Sequence, residues 1–173
     1  PQIESNIGPV RILRETQPYM VLRKNLATPE EPKLRKATLS DLDSYYEASL
    51  DMFRNEVQLD PVAVGASAYR SRVMESIKAG KSYGWFDDHG NTLFKIDVGA
   101  VSHGACQLQG VWLSHHLRGQ GHSTSLIAEA VAMMQSEIAP TVCLYVNDFN
   151  RAAIRAYEKV GFETIGEFST VFL

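Results

Sequence analysis

The densest chemistry in the chain lies at Arg118-Gly119-Gln120-Gly121-His122-Ser123. It sits between a strand-like run, Leu108 to Leu113, and a run whose apolar residues Leu126, Ile127, Ala130, Val131, Met133, Met134 and Ile138 recur at helical spacing. The loop therefore feeds a helix N-terminus. Gly119 and Gly121 permit positive φ and close approach of a ligand to the backbone, while the unpaired first-turn amides and the helix dipole favour an anion. Arg118 adds a planar fork suited to phosphate. The chemistry on offer is phosphate or pyrophosphate binding; taken alone, the loop also reads as a plain connection bearing an exposed arginine.

A second block follows the strand-like Thr141 to Val146. Asn147-Asp148-Phe149-Asn150 leads into Arg151 to Val160, with Gly161-Phe162 behind it. Asn150 suits the start of that helix and Gly161 its end, and Ala153 and Tyr157 fall on the face of the cap. Together the two blocks resemble the GNAT superfamily of acyl-CoA-dependent N-acyltransferases. Arg118 to Ser123 is similar to its Q/R-x-x-G-x-G/A pyrophosphate loop, with Ser123 standing where Gly or Ala is usual. Asn150, Ala153, Tyr157, Gly161 and Phe162 match its N-x-x-A-x-x-x-Y-x-x-x-G-F signature. Gln109-Gly110-Val111-Trp112 and Leu144 to Asn150 resemble more closely the C-terminal domains of actinobacterial two-domain acetyltransferases.

The resemblance implies acetyl-CoA (coenzyme A) as cofactor. Arg118, Gly119, Gln120, Gly121, His122 and Ser123 would surround its pyrophosphate, and main-chain groups of Val111, Trp112 and Leu113 would hold its pantetheine arm. It places Tyr157 beside the cofactor sulfur as general acid to the departing thiolate; the tyrosine also reads as packing against Phe162. Asn147 and Asn150 either hydrogen-bond the pantetheine or cap the helix, and for Asn150 both can hold.

Acyl transfer also needs a deprotonated amine and a stabilised thioester oxygen. Glu56 falls in an expected loop, Arg54 to Pro61, which in the resemblance borders the acceptor pocket, so it is the candidate base; a solvated carboxylate is the competing reading. Asp97 shares a strand face with Lys95 and reads as its ion-pair partner, while Gln109 cannot titrate. His115 and His116 stand next to the loop, placed either to relay a proton or simply exposed. Arg151 and Arg155 read as a solvated helix face, with Arg151 a further phosphate contact in the weaker reading.

The elements that must position these residues follow from pattern. Leu34 to Ala37 is a short strand, and Thr38 and Ser40, with acids three residues on, imitate a capping box before a helix carrying Leu42, Tyr45, Tyr46, Ser49 and Phe53. A second helix is expected over 66–79. Ser82 to Phe86, Thr92 to Val101 and Cys106 to Leu113 make three consecutive antiparallel strands, with Phe94, Ile96 and Val98 on one face of the middle one and Lys95 and Asp97 on the other. Gly110 marks a bulge or a close backbone approach. Phe162 to Phe168 and Thr170 to Leu173 are strand-like. The fold class expected is α+β, GNAT-like, a mostly antiparallel central sheet with helices on both faces, over residues 33–173. Residues 1–32 hold two strand-like runs, Pro9 to Arg14 and Pro18 to Arg23, then a proline-rich acidic linker. They read as the remnant of a preceding domain, in keeping with Pro1 in place of a methionine, or as a hairpin added to the sheet edge.

A formal charge of −3 argues against a global affinity for nucleic acid or anionic membrane, and no apolar run reaches the length of a membrane span. Cys106 and Cys143 lack metal spacing and read as reduced thiols of a cytoplasmic protein, and no metal site is expected. The function expected is N-acetyl transfer from acetyl-CoA to a primary amine, on a small molecule or peptide, by direct attack in a ternary complex. The composition leaves the oligomeric state open. A second reading is a CoA-binding sensor or interaction domain, favoured by the lack of an evident base and opposed by Tyr157. A third, a nucleotide-binding oxidoreductase, is disfavoured because Thr124 replaces the third glycine of that fingerprint and antiparallel strands replace βαβ units.

Overall fold

Alternation along Thr92–Val101 fixes the two faces of the sheet. Phe94, Ile96 and Val98 are buried in the main apolar core, and Lys95 turns to the opposite face, where it pairs with Asp97 at 2.6 Å. The computed structural model describes residues 12–57 and 61–172. Its strands are β1 (Ile12–Leu22), β2 (Arg35–Lys36), β3 (Ser82–Phe86), β4 (Thr92–Val101), β5 (Ala105–Leu113), β6 (Thr141–Tyr145) and β7 (Glu163–Phe172). The helices are α1 (Leu42–Val57), α2 (Pro61–Lys78), α3 (His122–Glu137) and α4 (Arg151–Val160). One sheet runs β2-β3-β4-β5-β6-β1-β7, antiparallel except between β5 and β6. This is the α+β architecture expected.

Helices α3 and α4 cover the face of Phe94 and Ile96, where Leu126, Ile127, Ala130, Met134, Ala156 and Tyr157 join the core. On the other face α1 and α2 close a smaller cluster of Leu42, Tyr45 and Ile77. Helix α2 starts earlier than expected, with Gly65 at φ 147 breaking its regularity. Helix α1 continues through Glu56 to Val57, so the loop expected from Arg54 is helical at its start.

The N-terminal run departs most from expectation. β1 is an interior strand between β6 and β7, not a hairpin at an edge. The interruption read at Glu15-Thr16-Gln17 is a register shift against β7, and the two C-terminal strand-like runs are one strand that pairs along β1 as far as Ile12 with Phe172. With β6 on one side and β7 on the other, both hydrogen-bonding edges of β1 are used. The segment after it is tied to α3: Gln135 accepts from the Leu26 amide and donates to the Lys24 carbonyl, and Glu129 accepts from the buried Leu34 amide at 2.6 Å.

Asp41 anchors the turn into α1. Its carboxylate accepts from both terminal guanidinium nitrogens of Arg35 at 2.7 and 2.8 Å and from the Thr38 amide at 2.8 Å. The Arg35 hydrogen bonds lead in pulling its pKa down to about 2, against the opposing effect of burial. A depressed carboxylate pKa stabilises the fold above the ordinary value, and that contribution is lost as pH falls through the folded one. Allowing for solvent around the half-exposed Arg35, it amounts to about 1–2 kcal/mol. Asp41→Asn should lose that much at pH 7, and the fall in wild-type stability between about pH 4 and pH 2 should flatten in the variant. Urea denaturation across that pH range measures both.

Candidate functional site

Parallel pairing joins β5 to β6 only at Ala105–Thr141, Cys106–Val142 and Gln107–Cys143. Beyond these pairs the strands part around a cavity of about 400 Å³. Leu108 to Val111 form one wall and Leu144 to Asn147, with Asn150 and Tyr157, the other; α1, α2 and β1 close its far end.

The bulge expected at Gly110 is present. Lys95 lies opposite Trp112 and Asp97 opposite Gln109, so β5 carries an extra residue where Gly110 takes φ 63. Lys95, 1% exposed, donates to the Gly110 carbonyl at 2.9 Å and to Asp97 at 2.6 Å. Asp97 also accepts from Tyr45 Oη at 2.8 Å and Ser82 Oγ at 2.7 Å. Burial, reinforced by Asp97, pushes the Tyr45 phenol well above its ordinary pKa, so it remains a donor. Both Asp97 oxygens are engaged, which makes this carboxylate the counter-ion of Lys95 rather than a proton acceptor.

The glycine loop precedes α3 directly. Gly119 and Gly121 have φ 76 and 84, and a Cβ built on either meets nothing within 4 Å. Gly121 is the N-cap of α3 and supplies no side chain to its first-turn amides. Arg118 Nε donates to the Leu113 carbonyl at 2.9 Å, and Gln120 donates to His116. Gln120 thus closes the loop on itself, while His122 and Ser123 open α3. Asp51 of α1, which the sequence reading passed over, accepts from Trp112 Nε1 at 2.6 Å and lies 2.9 Å from His115 Nε2 and 3.7 Å from Arg118. Burial works to raise the Asp51 pKa, but the Trp112 and His115 hydrogen bonds and the nearby cations outweigh it and leave it lowered. Trp112 and Arg118 are therefore held from behind by one carboxylate; its partner Trp112 is 61 positions away, so no local pattern marks it.

At the other wall Asn150 caps α4, accepting from the Ala153 amide at 3.2 Å, and Gly161 ends the helix at φ 111. Tyr157 lines the cavity and meets Phe162 edge-on at 5.8 Å, so packing and access to the cavity coexist. Asn147 accepts from the buried Gln17 amide at 3.0 Å, and Gln17 accepts in turn from Thr170. Gln17, which lines the cavity, is like Asp51 a residue that the sequence did not single out. Val111 lines the cavity, whereas Leu113 sits in the core. The Glu56 backbone belongs to the last turn of α1, and its side chain lies outside the described residues. Burial, with Cys143 nearby, pushes the Cys106 thiol up to about 11, unlike a nucleophile.

The model of the acetyltransferase (GNAT) family matches residues 42–162, well over half of the chain. The chain belongs to this family. Its fold is similar to that of a GNAT acetyltransferase from Colwellia psychrerythraea (TM-score 0.72, 13% identity, covering 94% of this chain and 57% of that one). It is also similar to a GNAT acetyltransferase from Novosphingobium aromaticivorans (0.71, 17%, 94% and 65%) and to a phosphinothricin acetyltransferase from Sinorhizobium meliloti in complex with AcCoA (0.60, 19%, 77% and 75%). The chain thus spans less than two thirds of the first two relatives. Comparison with curated proteins found no match. Acetyl-CoA is the cosubstrate of the family, and the site fits it: two glycines open towards free space at a helix N-terminus, and a cleft lies between the splayed strands. Among the described residues no acidic, histidine and cysteine cluster could hold a metal, and no helix is long and apolar enough to cross a membrane.

The two glycine positions should respond differently to alanine. At Gly110 a Cβ would lie 2.6 Å from Asp97 Oδ2 in addition to the cost of positive φ, whereas Gly121 carries only the latter. Gly121→Ala should lose about 1 kcal/mol and Gly110→Ala about 2–4 kcal/mol, read from urea unfolding midpoints.

Proposed function

We propose that this protein transfers an acetyl group from acetyl-CoA to a primary amine by direct attack in a ternary complex. The observation that carries the reading is the cleft between β5 and β6, which has a bulged strand on one wall, Tyr157 on the other and the glycine loop at the end of β5. Acetyl-CoA supplies the activated acyl carbon and a thiolate leaving group. The amides of Gly119, Gly121, His122 and Ser123 bind the pyrophosphate, with Arg118 and Gln120 fixing the loop. Main-chain groups of Val111, Trp112 and Leu113 run beside the pantetheine, and Asn147 and Asn150 face it from the other wall. Amides at the bulge polarise the acyl oxygen, and Lys95, paired with Asp97, holds the Gly110 carbonyl from behind.

The amine nitrogen bonds to the acyl carbon and the carbon–sulfur bond breaks. Tyr157 donates its phenolic proton to the sulfur and regains one from water. The amine loses its proton to solvent or to Glu56, the carboxylate at the end of α1.

Calorimetric titration of acetyl-CoA, with thiol release followed on an amine panel, tests the reading on wild type, Gly121→Trp and Tyr157→Phe. Wild type should bind, Gly121→Trp should not, and Tyr157→Phe should bind normally yet release thiol at least about 100-fold more slowly. Failure of wild type to bind would overturn the proposal. Binding without thiol release from any amine would leave a CoA-binding domain.

A further inference from the structure

Resting on the acetyl-CoA reading of the glycine loop, we infer that Asp51 of α1 is a positioning residue for the cofactor, which holds the loop ready for the pyrophosphate before it binds. Asp51 is not among the residues that line the cavity; it acts through three residues that lead into the loop. Its Oδ2 accepts from Trp112 Nε1 at 2.6 Å and lies 2.9 Å from His115 Nε2 and 3.7 Å from the Arg118 guanidinium. His115–Leu117 form a single 3-10 turn between β5 and the loop. The bonds that close the loop end on this turn. The Arg118 amide donates to the His115 carbonyl at 3.2 Å, and Gln120 Nε2 donates to the His116 carbonyl at 2.6 Å. Fixing the His115 ring therefore fixes the base on which the loop is folded.

This constraint matters because the glycines do little to order themselves. Gly119 and Gly121 take positive φ, and a Cβ built on either meets nothing within 4 Å. Glycine loses more conformational freedom on ordering than any other residue, so a loose loop would bind the cofactor more weakly than one ordered beforehand. Two effects of Asp51 oppose each other. Its charge lowers the positive potential offered to a pyrophosphate, whereas its hydrogen bonds hold the donors in place. Asp51 and Arg118 are 37% and 44% exposed, so the charge effect is screened by solvent and salt and the positioning effect prevails.

The test needs no amine: acetyl-CoA is titrated calorimetrically into wild type, Asp51→Asn, Asp51→Ala and His115→Ala. Asparagine keeps an oxygen that accepts from Trp112 and His115 but loses the charge, and alanine loses both. Asp51→Ala should raise Kd about 10-fold and Asp51→Asn no more than about 3-fold, with both ratios persisting at about 0.5 M salt. His115→Ala should raise Kd by a factor similar to that of Asp51→Ala. Amide hydrogen exchange over residues 115–123 of the cofactor-free protein should quicken in Asp51→Ala and slow again in Asp51→Asn. Exchange in β4 and β6 should stay as in wild type, which separates loss of position from loss of fold. Unchanged or tighter binding in Asp51→Ala would overturn this inference alone. If that variant unfolds, the same result in His115→Ala, whose side chain is 64% exposed, would overturn it. Failure of wild type to bind acetyl-CoA would overturn the reading of the loop and this inference with it.

Discussion

A parallel strand pair that stops after three residues is the constraint on which the rest of this structure depends. Backbone groups in a sheet interior need partners, and strands that run side by side tend to stay together. Here each arm of the gap is held by a buried polar cluster. On the β5 side Lys95 grips the bulge carbonyl while Asp97, Tyr45 and Ser82 fix Lys95. On the β6 side Gln17 links Asn147 to Thr170, drawing the end of β6 towards β1 and β7. Apolar contacts alone would not fix strand direction so closely, since they are non-directional.

The same clusters set the electrostatics. Within a chain of net charge −3 the charges are sorted: Asp97 pairs with Lys95, and Asp51 is turned towards Trp112, His115 and Arg118 behind the loop. Asp51 also ties α1 to the residues that flank the glycine loop.

Much of this was legible in the chain. Glycine spacing before an apolar helical repeat gave the loop, and the Asn150 to Phe162 pattern gave the capped helix, because caps, positive φ and amphipathic periods are local properties. Alternation in Thr92 to Val101 placed Lys95 and Asp97 on one face, and the isolated Gly110 marked the bulge. Less legible were Asp51 and Gln17, whose partners are remote in sequence, and the end of α1, where Arg54 to Val57 have no breaker and stay helical.

The sequence by itself determined the local elements and their order, since each follows from conformational preference within a few residues. Only the tertiary structure decided where β1 goes. Its strand-like residues suit an edge or an interior position alike, and the choice rests on hydrogen bonds to β6 and β7, strands more than a hundred residues away. Tertiary structure likewise decided which charges cancel and which face the cavity, because pairing depends on distance in space and the sequence records only the signs.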